Sequence, residues 1–274
     1  MAGFWIEHGK VTTLDLGGFN ELRFCRHGPM LYNKHDQYVG RSLQLYGEYN
    51  RDEWDVLSQL VDPDDIVFEI GANCGAHTVP LAKKAAVVYA FEPQRIMFQL
   101  LCANVALNHL SNVEAFPLAV GKEAGSIAVP QLSPEHENNF GALELGGIGD
   151  QVGMVQLTKD WLPPPSLIKI DVEGMELDVL RGAENLLLEV RPLLYVENDR
   201  EEKGQELIDW LREREYRLHW HRPPLYSKDN FAGSRDNVFP GIVSQNMLCV
   251  PQERVLECNL PEVELFINLE PLLH

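Results

Sequence analysis

The sequence predicts an α/β protein whose core is a seven-stranded, mostly parallel, doubly wound sheet. Three observations support this fold class. Short apolar runs alternate with helix-length segments from Asp65 onward, which is typical of βαβ units. A chain of 274 residues can bury one large core. The content of 45% hydrophobic and 23% charged residues is typical of a globular domain and excludes a disordered or fibrous protein.

The strands are predicted from the short apolar runs. They are expected at Ile66–Ile70, Val87–Phe91, Val113–Leu118, Leu167–Val172, Leu193–Val196, Tyr216–Trp220 and Met247–Val250. Helices are expected between them, at Thr78–Lys84, at Met97–Asn108, across Leu177, Leu180 and Leu187, and at Glu201–Arg214. Residues 62–250 are therefore predicted to form the main domain.

Residues 1–61 are predicted to form an N-terminal cap of short strands plus one helix. Asn50 followed three residues later by Glu53 resembles a capping box. Apolar residues then repeat at helical spacing as far as Val61, so one amphipathic helix is expected here.

Two long segments, Pro130–Asp150 and Arg222–Gly241, show little periodicity and are too long for ordinary connections. Such loops are usually either lids or disordered. We expect them, with the cap, to recognise the substrate. Residues 251–274 form a C-terminal extension to which the sequence assigns no role.

The charge balance limits the partners. Lys and Arg total 23 and Asp and Glu total 41, and the net charge of −18 repels phosphate backbones and anionic membranes. We therefore expect no nucleic-acid partner and no membrane association. The five cysteines include no Cys-x-x-Cys pair, which argues against a disulfide framework or a zinc site. Glu7 and Lys10 interrupt the first apolar residues, so we expect no secretory signal and a cytoplasmic location.

A glycine turn follows the first strong strand. Gly71 and Gly75 allow a tight turn and let the backbone approach a ligand. The dinucleotide fingerprint is not matched, because Asn73 replaces its second glycine and Glu69 would repel a pyrophosphate. An acidic residue here suits a cationic, amine-bearing ligand such as S-adenosylmethionine. The alternative is that both glycines serve only the turn.

Glu92 ends the second strand about 20 residues after Gly71, the spacing of the acidic residue that binds a ribose diol in nucleotide sites. A solvated strand end is the alternative for Glu92 taken alone. Together with the glycine turn, it favours a nucleoside ligand.

A third acidic motif lies at the end of the fourth strand. Alternation along the strand places Asp171 and Glu173 on one side, at the edge that borders the ligand crevice in such sheets. The alternative is that these acids complement the dipole of the next helix, an interpretation that suits Glu176 best.

In combination, these motifs resemble the FkbM family of S-adenosylmethionine-dependent methyltransferases. The resemblance extends from about Asp62 to Asn198. It is carried by Glu69–Thr78, Phe91–Pro93, Asn104 with Asn108, Ile168–Gly174 and Val179–Ala183, with Gly47–Tyr49 as a lead-in. It implies a class I methyltransferase fold, Rossmann-like with an antiparallel final strand. Family members usually carry Asp in place of Glu69 and Ile or Val in place of Cys74.

The resemblance also implies a reaction: O-methylation of a hydroxyl on a sugar, glycan or other natural-product small molecule. The residues expected to bind the cofactor are Glu69, Gly71, Asn73, Gly75, Thr78, Glu92, Pro93 and Asp171. Asp171 is the first candidate for the base that removes the acceptor proton, or for orienting the acceptor, and Glu173 is the second. The same two carboxylates can instead hold Mg²⁺, and the sequence does not decide between these roles.

Candidate acceptor-binding residues are fewer. His219 and His221 share one strand face, although a partly exposed edge strand is the alternative. Asn198 can hydrogen-bond an acceptor or cap a helix. Tyr49 can stack on a sugar face, or simply belong to the core.

Two further functions remain open at this point: N-methylation of a peptide side chain, and a cofactor-binding partner subunit without turnover. Retention of the four acids Glu69, Glu92, Asp171 and Glu173 argues against a degenerate site. The sequence leaves open whether the protein is a homo-oligomer.

Overall fold

The structure, a computed structural model, describes residues 13–266, so the first twelve residues of the cap and the last eight of the C-terminal extension lie outside it. Within that range the strands are β1 (Thr13–Asp15), β2 (Asn20–Cys25), β3 (Gly28–Asn33), β4 (Ile66–Ile70), β5 (Val87–Phe91), β6 (Val113–Phe116), β7 (Ala119–Val120), β8 (Gly125–Val129), β9 (Asp150–Val155), β10 (Leu167–Ile170), β11 (Leu193–Glu197), β12 (Tyr216–His221) and β13 (Asn246–Pro251). The helices are α1 (Val39–Tyr46), α2 (Arg51–Leu60), α3 (Thr78–Ala82), α4 (Arg95–Leu107), α5 (Glu176–Gly182), α6 (Glu184–Val190) and α7 (Glu201–Glu213). None of these helices is long and apolar enough to span a membrane.

Seven strands form the central sheet, in the order β12-β13-β11-β10-β4-β5-β6. The five strands from β11 to β6 in this order are parallel to one another. β13 is antiparallel to both of its neighbours, β11 and β12. The predicted seven-stranded, mostly parallel sheet with an antiparallel final strand is confirmed.

Both faces of this sheet are buried, which is why its strands read as continuous apolar runs. On one face, Val67 and Leu167 pack with Leu57 of α2 and with residues of α3 and α4. On the other face, Phe68 and Ile168 pack against α5, α6 and α7. Helices on both faces make the fold doubly wound, and they leave only the strand ends open.

The N-terminal residues form one helix more than predicted. Before α1, the Asp36 carboxylate accepts a hydrogen bond from the Gly40 amide at 2.9 Å, and Gly47 (φ +66°) ends the helix. The predicted capping box of α2 is wrong. Asn50 is left-handed (φ +42°), and its side-chain amide donates to the Glu53 carboxylate at 2.9 Å instead of accepting from the backbone.

Two further elements differ from the prediction. The single helix expected across Leu177 and Leu187 is split into α5 and α6. It breaks where Gly182 packs on the backbone of Gly121, whose carbonyl oxygen would lie 2.1 Å from a Cβ at position 182. In addition, β7, β9 and β8 form a small separate sheet that the sequence did not predict. Its strands flank the irregular 130–149 loop.

In the described part of the C-terminal extension, which ends at residue 266, residues 260–263 lie along the outer edge of β12. The Trp220 amide donates to the Pro261 carbonyl at 2.8 Å, and the Val263 amide donates to the Leu218 carbonyl at 2.9 Å. The edge of the central sheet on this side is therefore covered, although the sequence assigned this segment no role.

Candidate active site

A cavity of about 310 Å³ opens at the carboxyl edge of the parallel strands. This is the edge at which open α/β sheets bind ligands, because the chain leaves each strand in a loop there. Its walls come from the residues that follow β4, β5, β10 and β11, from residues 139–145 of the first long loop, and from Leu225 of the second loop with residues 242–246 just past it. The Gln94 side-chain amide anchors the first loop by donating to the Phe140 carbonyl at 2.7 Å.

The glycine turn after β4 forms one wall. Gly71 (φ +86°) leaves no room for a side chain, since a Cβ there would lie 1.8 Å from the Asp171 carbonyl oxygen. A Cβ at Gly75 would likewise lie 2.9 Å from the Leu101 side chain. The space beside these glycines, which was expected to be left for a ligand, is therefore occupied by neighbouring atoms of the protein. Asn73 lines the cavity in a left-handed conformation (φ +51°), whereas Gly75 does not line it.

Glu92 is fixed at the wall by its own chain. It is 3% exposed, and its two carboxylate oxygens accept hydrogen bonds from the Asn73 and Gln94 amides, both at 2.7 Å. Burial raises the pKa of Glu92 to about 7, against the opposing effect of these two amides. Each oxygen keeps a second lone pair for a ligand hydroxyl. Pro93 continues the same wall.

Glu69 lies deeper in the same wall. The Thr78 hydroxyl donates to its carboxylate at 2.5 Å. Burial raises the pKa of Glu69 to about 7, while Lys169 and Thr78 act in the opposite direction. Thr78 does not itself line the cavity. Its part is to hold Glu69 rather than to touch a ligand.

Asp171 and Glu173 both line the cavity, although β10 ends at Ile170, earlier than predicted. Strand alternation is therefore not what brings them together. Glu173 is left-handed (φ +54°) and forms an ion pair with the Arg200 guanidinium. Burial and the charge of Asp171 raise the pKa of Glu173 to about 8. The Glu176 carboxylate accepts the Gly174 amide at 2.9 Å, which matches the helix-start interpretation of that residue.

Asp171 is the more accessible of the two acids. Its side chain is 32% exposed, and it accepts a hydrogen bond from the Lys169 ammonium at 2.9 Å. Glu197, at the end of β11, joins it, since one carboxylate oxygen each from Asp171, Glu173 and Glu197 lie within 4.8 Å of one another. Burial, and after it the nearby carboxylates, hold the pKa of Glu197 well above its usual range. Three such oxygens are a plausible ligand set for a cation.

Several buried polar residues of the cavity were not predicted from the sequence, among them Glu53, His77 and Lys169. Lys169 could have been found from the sequence, because it is a single charged residue within an apolar strand. Its Nζ lies 3.6 Å from Glu53 Oε1, and His77 Nδ1 lies 3.8 Å from the same oxygen. Burial holds the pKa of His77 well below its usual range, so its ring is neutral near pH 7.

The candidate acceptor residues are placed unevenly. Tyr49 lines the cavity beside His77. The other three expected acceptor residues, Asn198, His219 and His221, do not line this cavity. Asn198 donates to the Gly204 carbonyl at 3.2 Å, His219 lies 3.3 Å from the Leu260 carbonyl, and His221 Nδ1 lies 2.6 Å from the Tyr195 hydroxyl.

Comparison with known proteins agrees with this geometry. The Methyltransferase FkbM domain matches residues 69–218, more than half of the chain. The chain belongs to the FkbM methyltransferase family. The sequence resemblance and the class I methyltransferase fold are thus both confirmed.

Several named proteins are similar to part of this chain. Hexuronic acid methyltransferase AglP of Haloferax volcanii is 31% identical over 147 residues, covering 51% of this chain and 60% of that protein. Methyltransferase 1 of Beauveria bassiana is 27% identical over 150 residues, covering 45% and 60%. The chain thus spans about three fifths of the length of either relative. An FkbM methyltransferase structure from Methylobacillus flagellatus is 17% identical, with a TM-score of 0.47, over 69% of this chain and 44% of that one.

Proposed function

We propose that this protein transfers a methyl group from S-adenosylmethionine to a hydroxyl on a sugar, glycan or other natural-product small molecule. The observation that carries the proposal is the presence of Glu92 and Asp171 on one cavity. Glu92 is locked by two backbone amides with lone pairs to spare. Asp171 is an accessible carboxylate supported by a buried lysine. The first suits a ribose diol and the second suits an acceptor hydroxyl.

The charges of the cavity fit this cofactor. The wall carries more acids than bases: Glu53, Glu69, Glu92, Asp171, Glu173, Glu197 and Asp199 against Lys169 and Arg200. Such a wall repels the pyrophosphate of a dinucleotide and attracts a sulfonium cation. The glycine turn, Glu92 and Pro93 would hold the adenosine half.

Different residues of the chain have different roles in the proposed reaction. When bound, the cofactor supplies an electrophilic methyl group on a sulfonium. Asp171 accepts the proton of the acceptor hydroxyl, a role that is worth about 10²–10⁴-fold in rate. Lys169 holds the Asp171 carboxylate in place through its 2.9 Å hydrogen bond. The loops at 139–145 and 242–246 align the acceptor and exclude water.

A sugar or natural-product acceptor is supported by two observations. AglP is named for a hexuronic acid, and it is 31% identical over the matched part. Tyr49 gives the cavity an aromatic face beside polar groups, the combination on which sugar rings stack.

One observation favours a second acceptor class. The acidic cluster of Asp171, Glu173 and Glu197 attracts a positively charged group, so an amine-bearing acceptor and N-methylation fit it as well. The two reactions differ in product, because the methyl group ends on an oxygen as an ether in one and on a nitrogen in the other.

Binding should be measured first. Titration calorimetry with S-adenosylmethionine and S-adenosylhomocysteine, with NAD as the control ligand, should give micromolar binding of the first two alone. A panel of neutral, acidic and amino sugars and natural-product alcohols should then be screened for methyl transfer, with the product bond identified by mass spectrometry. Binding of NAD alone, or of none of the three ligands, would overturn the cofactor assignment.

A further inference from the structure

Three polar groups of the cavity are more deeply buried than the catalytic carboxylate. Glu53 comes from α2, His77 from the turn before α3, and Lys169 from β10. They are 3%, 5% and 2% exposed, respectively. The reaction proposed above uses only Lys169, and only as a support for Asp171.

Two of these groups carry open hydrogen-bonding positions. Among residues 13–266, Glu53 Oε1 and His77 Nε2 have no hydrogen-bond partner although both atoms are buried. Buried polar atoms are nearly always paired. The group does not satisfy itself, because the contacts of Glu53 Oε1 with Lys169 and His77, at 3.6 Å and 3.8 Å, are too long for hydrogen bonds.

The open positions, together with the Lys169 ammonium, suit a ligand that carries both a positive and a negative charge. Glu53 offers a carboxylate oxygen, and the neutral His77 ring offers a nitrogen. The Lys169 ammonium has three donors, one of which is used by Asp171 at 2.9 Å. An ammonium and a carboxylate on one carbon, as in an amino acid, would occupy these partners together. A sugar hydroxyl is neutral and needs no such pair of buried opposite charges.

The position of the group in the sheet agrees with this ligand. Lys169 pairs with Glu69 across β10 and β4, and Glu69 pairs with Ala90 in β5. The group thus lies two strands, or about 10 Å, from the strand that leads into Glu92. In S-adenosylmethionine a methylene, the sulfur and two further methylenes separate the ribose ring from the amino-acid carbon, a comparable length.

We propose that Glu53, His77 and Lys169 form the subsite for the amino-acid end of S-adenosylmethionine. Glu53 and His77 accept hydrogen bonds from its ammonium, and Lys169 pairs with its carboxylate. This inference rests on the proposed cofactor. It gives the N-terminal cap a direct part in cofactor binding, because α2 supplies Glu53.

Two ligands that differ only at this end provide the test. S-adenosylhomocysteine contains the amino-acid end, whereas 5′-methylthioadenosine lacks it. Their dissociation constants should be measured by calorimetry for the wild type, Glu53→Gln and His77→Phe. Phe keeps the ring that packs near Tyr49. Glu202→Gln, an exposed acid of α7, is the matched control.

Each cavity variant should weaken S-adenosylhomocysteine by about tenfold to a hundredfold, the effect of losing a hydrogen bond to a charged group. Binding of 5′-methylthioadenosine should stay unchanged, which also shows that the variant is folded. If a variant lost affinity for both ligands equally, the residue would have a structural role and the subsite would be overturned. Unchanged affinity for both ligands would overturn it as well. A wild type that binds neither ligand would overturn the proposed function itself.

Discussion

The two ends of the cavity are built in different ways. At the β5 end, Glu92 is held by amides at positions 73 and 94, so the chain next to the site orients it. At the β10–β11 end, groups that follow the strands meet groups from distant segments, such as Glu53 of α2 and His77 before α3. The first end is rigid and complete without a ligand, whereas the second keeps open charges. The adenosine half of the proposed cofactor is suited to the first end, its amino-acid end to the open charges of the second, and a variable acceptor to the loops beside the second.

The largest expected effect lies at the open end. Asp171→Asn removes the proton-accepting carboxylate but keeps its size, so turnover on an identified acceptor should fall by about 10²–10⁴-fold. The affinity for S-adenosylhomocysteine, measured by calorimetry, should change little. Asp178→Asn, on the exposed side of α5, is the control. An unchanged rate would mean that Asp171 takes no part in the reaction, and the two ends would then not differ in function as proposed.

Glu92→Ala acts at the rigid end. It removes the expected ribose partner and leaves the Asn73 and Gln94 amides without their acceptor. Affinity for S-adenosylhomocysteine should fall by about tenfold to a hundredfold in calorimetry. Retained affinity would mean that this end does not bind the ribose.

Gly71→Ala tests the close contact between the residues that follow β4 and β10. Its Cβ would lie 1.8 Å from the Asp171 carbonyl, at a left-handed φ of +86°. We expect a loss of about 3 kcal/mol in the free energy of unfolding, measured by urea denaturation. Gly125→Ala, where a Cβ has open space, is the control. Equal stability of the two variants would show that the strand ends can separate freely.

The raised pKa of Glu92 predicts a pH effect. Its folded pKa of about 7 lies above its ordinary value of 4.5, so its protonation stabilises the folded state. That contribution is complete below about pH 4.5 and is lost as the pH rises through about 7. The Tm of the ligand-free wild type relative to Glu92→Gln should therefore fall between pH 5 and pH 8. A constant difference would contradict the pKa shift.

The smallest effect is expected from metal removal. The Arg200 guanidinium already supplies a positive charge to Glu173, so the acidic cluster does not depend on an added ion. Turnover should be unchanged after treatment with a chelator. A loss of rate that Mg²⁺ restores would show that Asp171, Glu173 and Glu197 hold a metal.

The features predicted from the sequence are local ones. The buried strands follow from apolar runs, and Glu69, Glu92 and Asp171 follow from their places at strand ends, where each lines the cavity. The FkbM membership, and with it the antiparallel final strand, likewise followed from motifs of neighbouring residues. Neighbouring residues alone decide such features.

The missed features depend on contacts between distant segments. The Glu53–His77–Lys169 group joins three segments that no short motif connects. His219 and His221 were suggested as acceptor residues because they share one strand face, but His219 pairs with the segment that covers the strand edge and His221 contacts Tyr195.

The covering segment has a consequence for how molecules behave at high concentration. Gly204 leaves the space that Phe266 fills, since a Cβ there would lie 2.1 Å from that ring. The segment is thus fastened to α7 as well as to β12. Shortening the chain before Pro261 would uncover the amides and carbonyls of β12, a row on which a second molecule can add a strand. The tail therefore keeps neighbouring copies from joining edge to edge and aggregating.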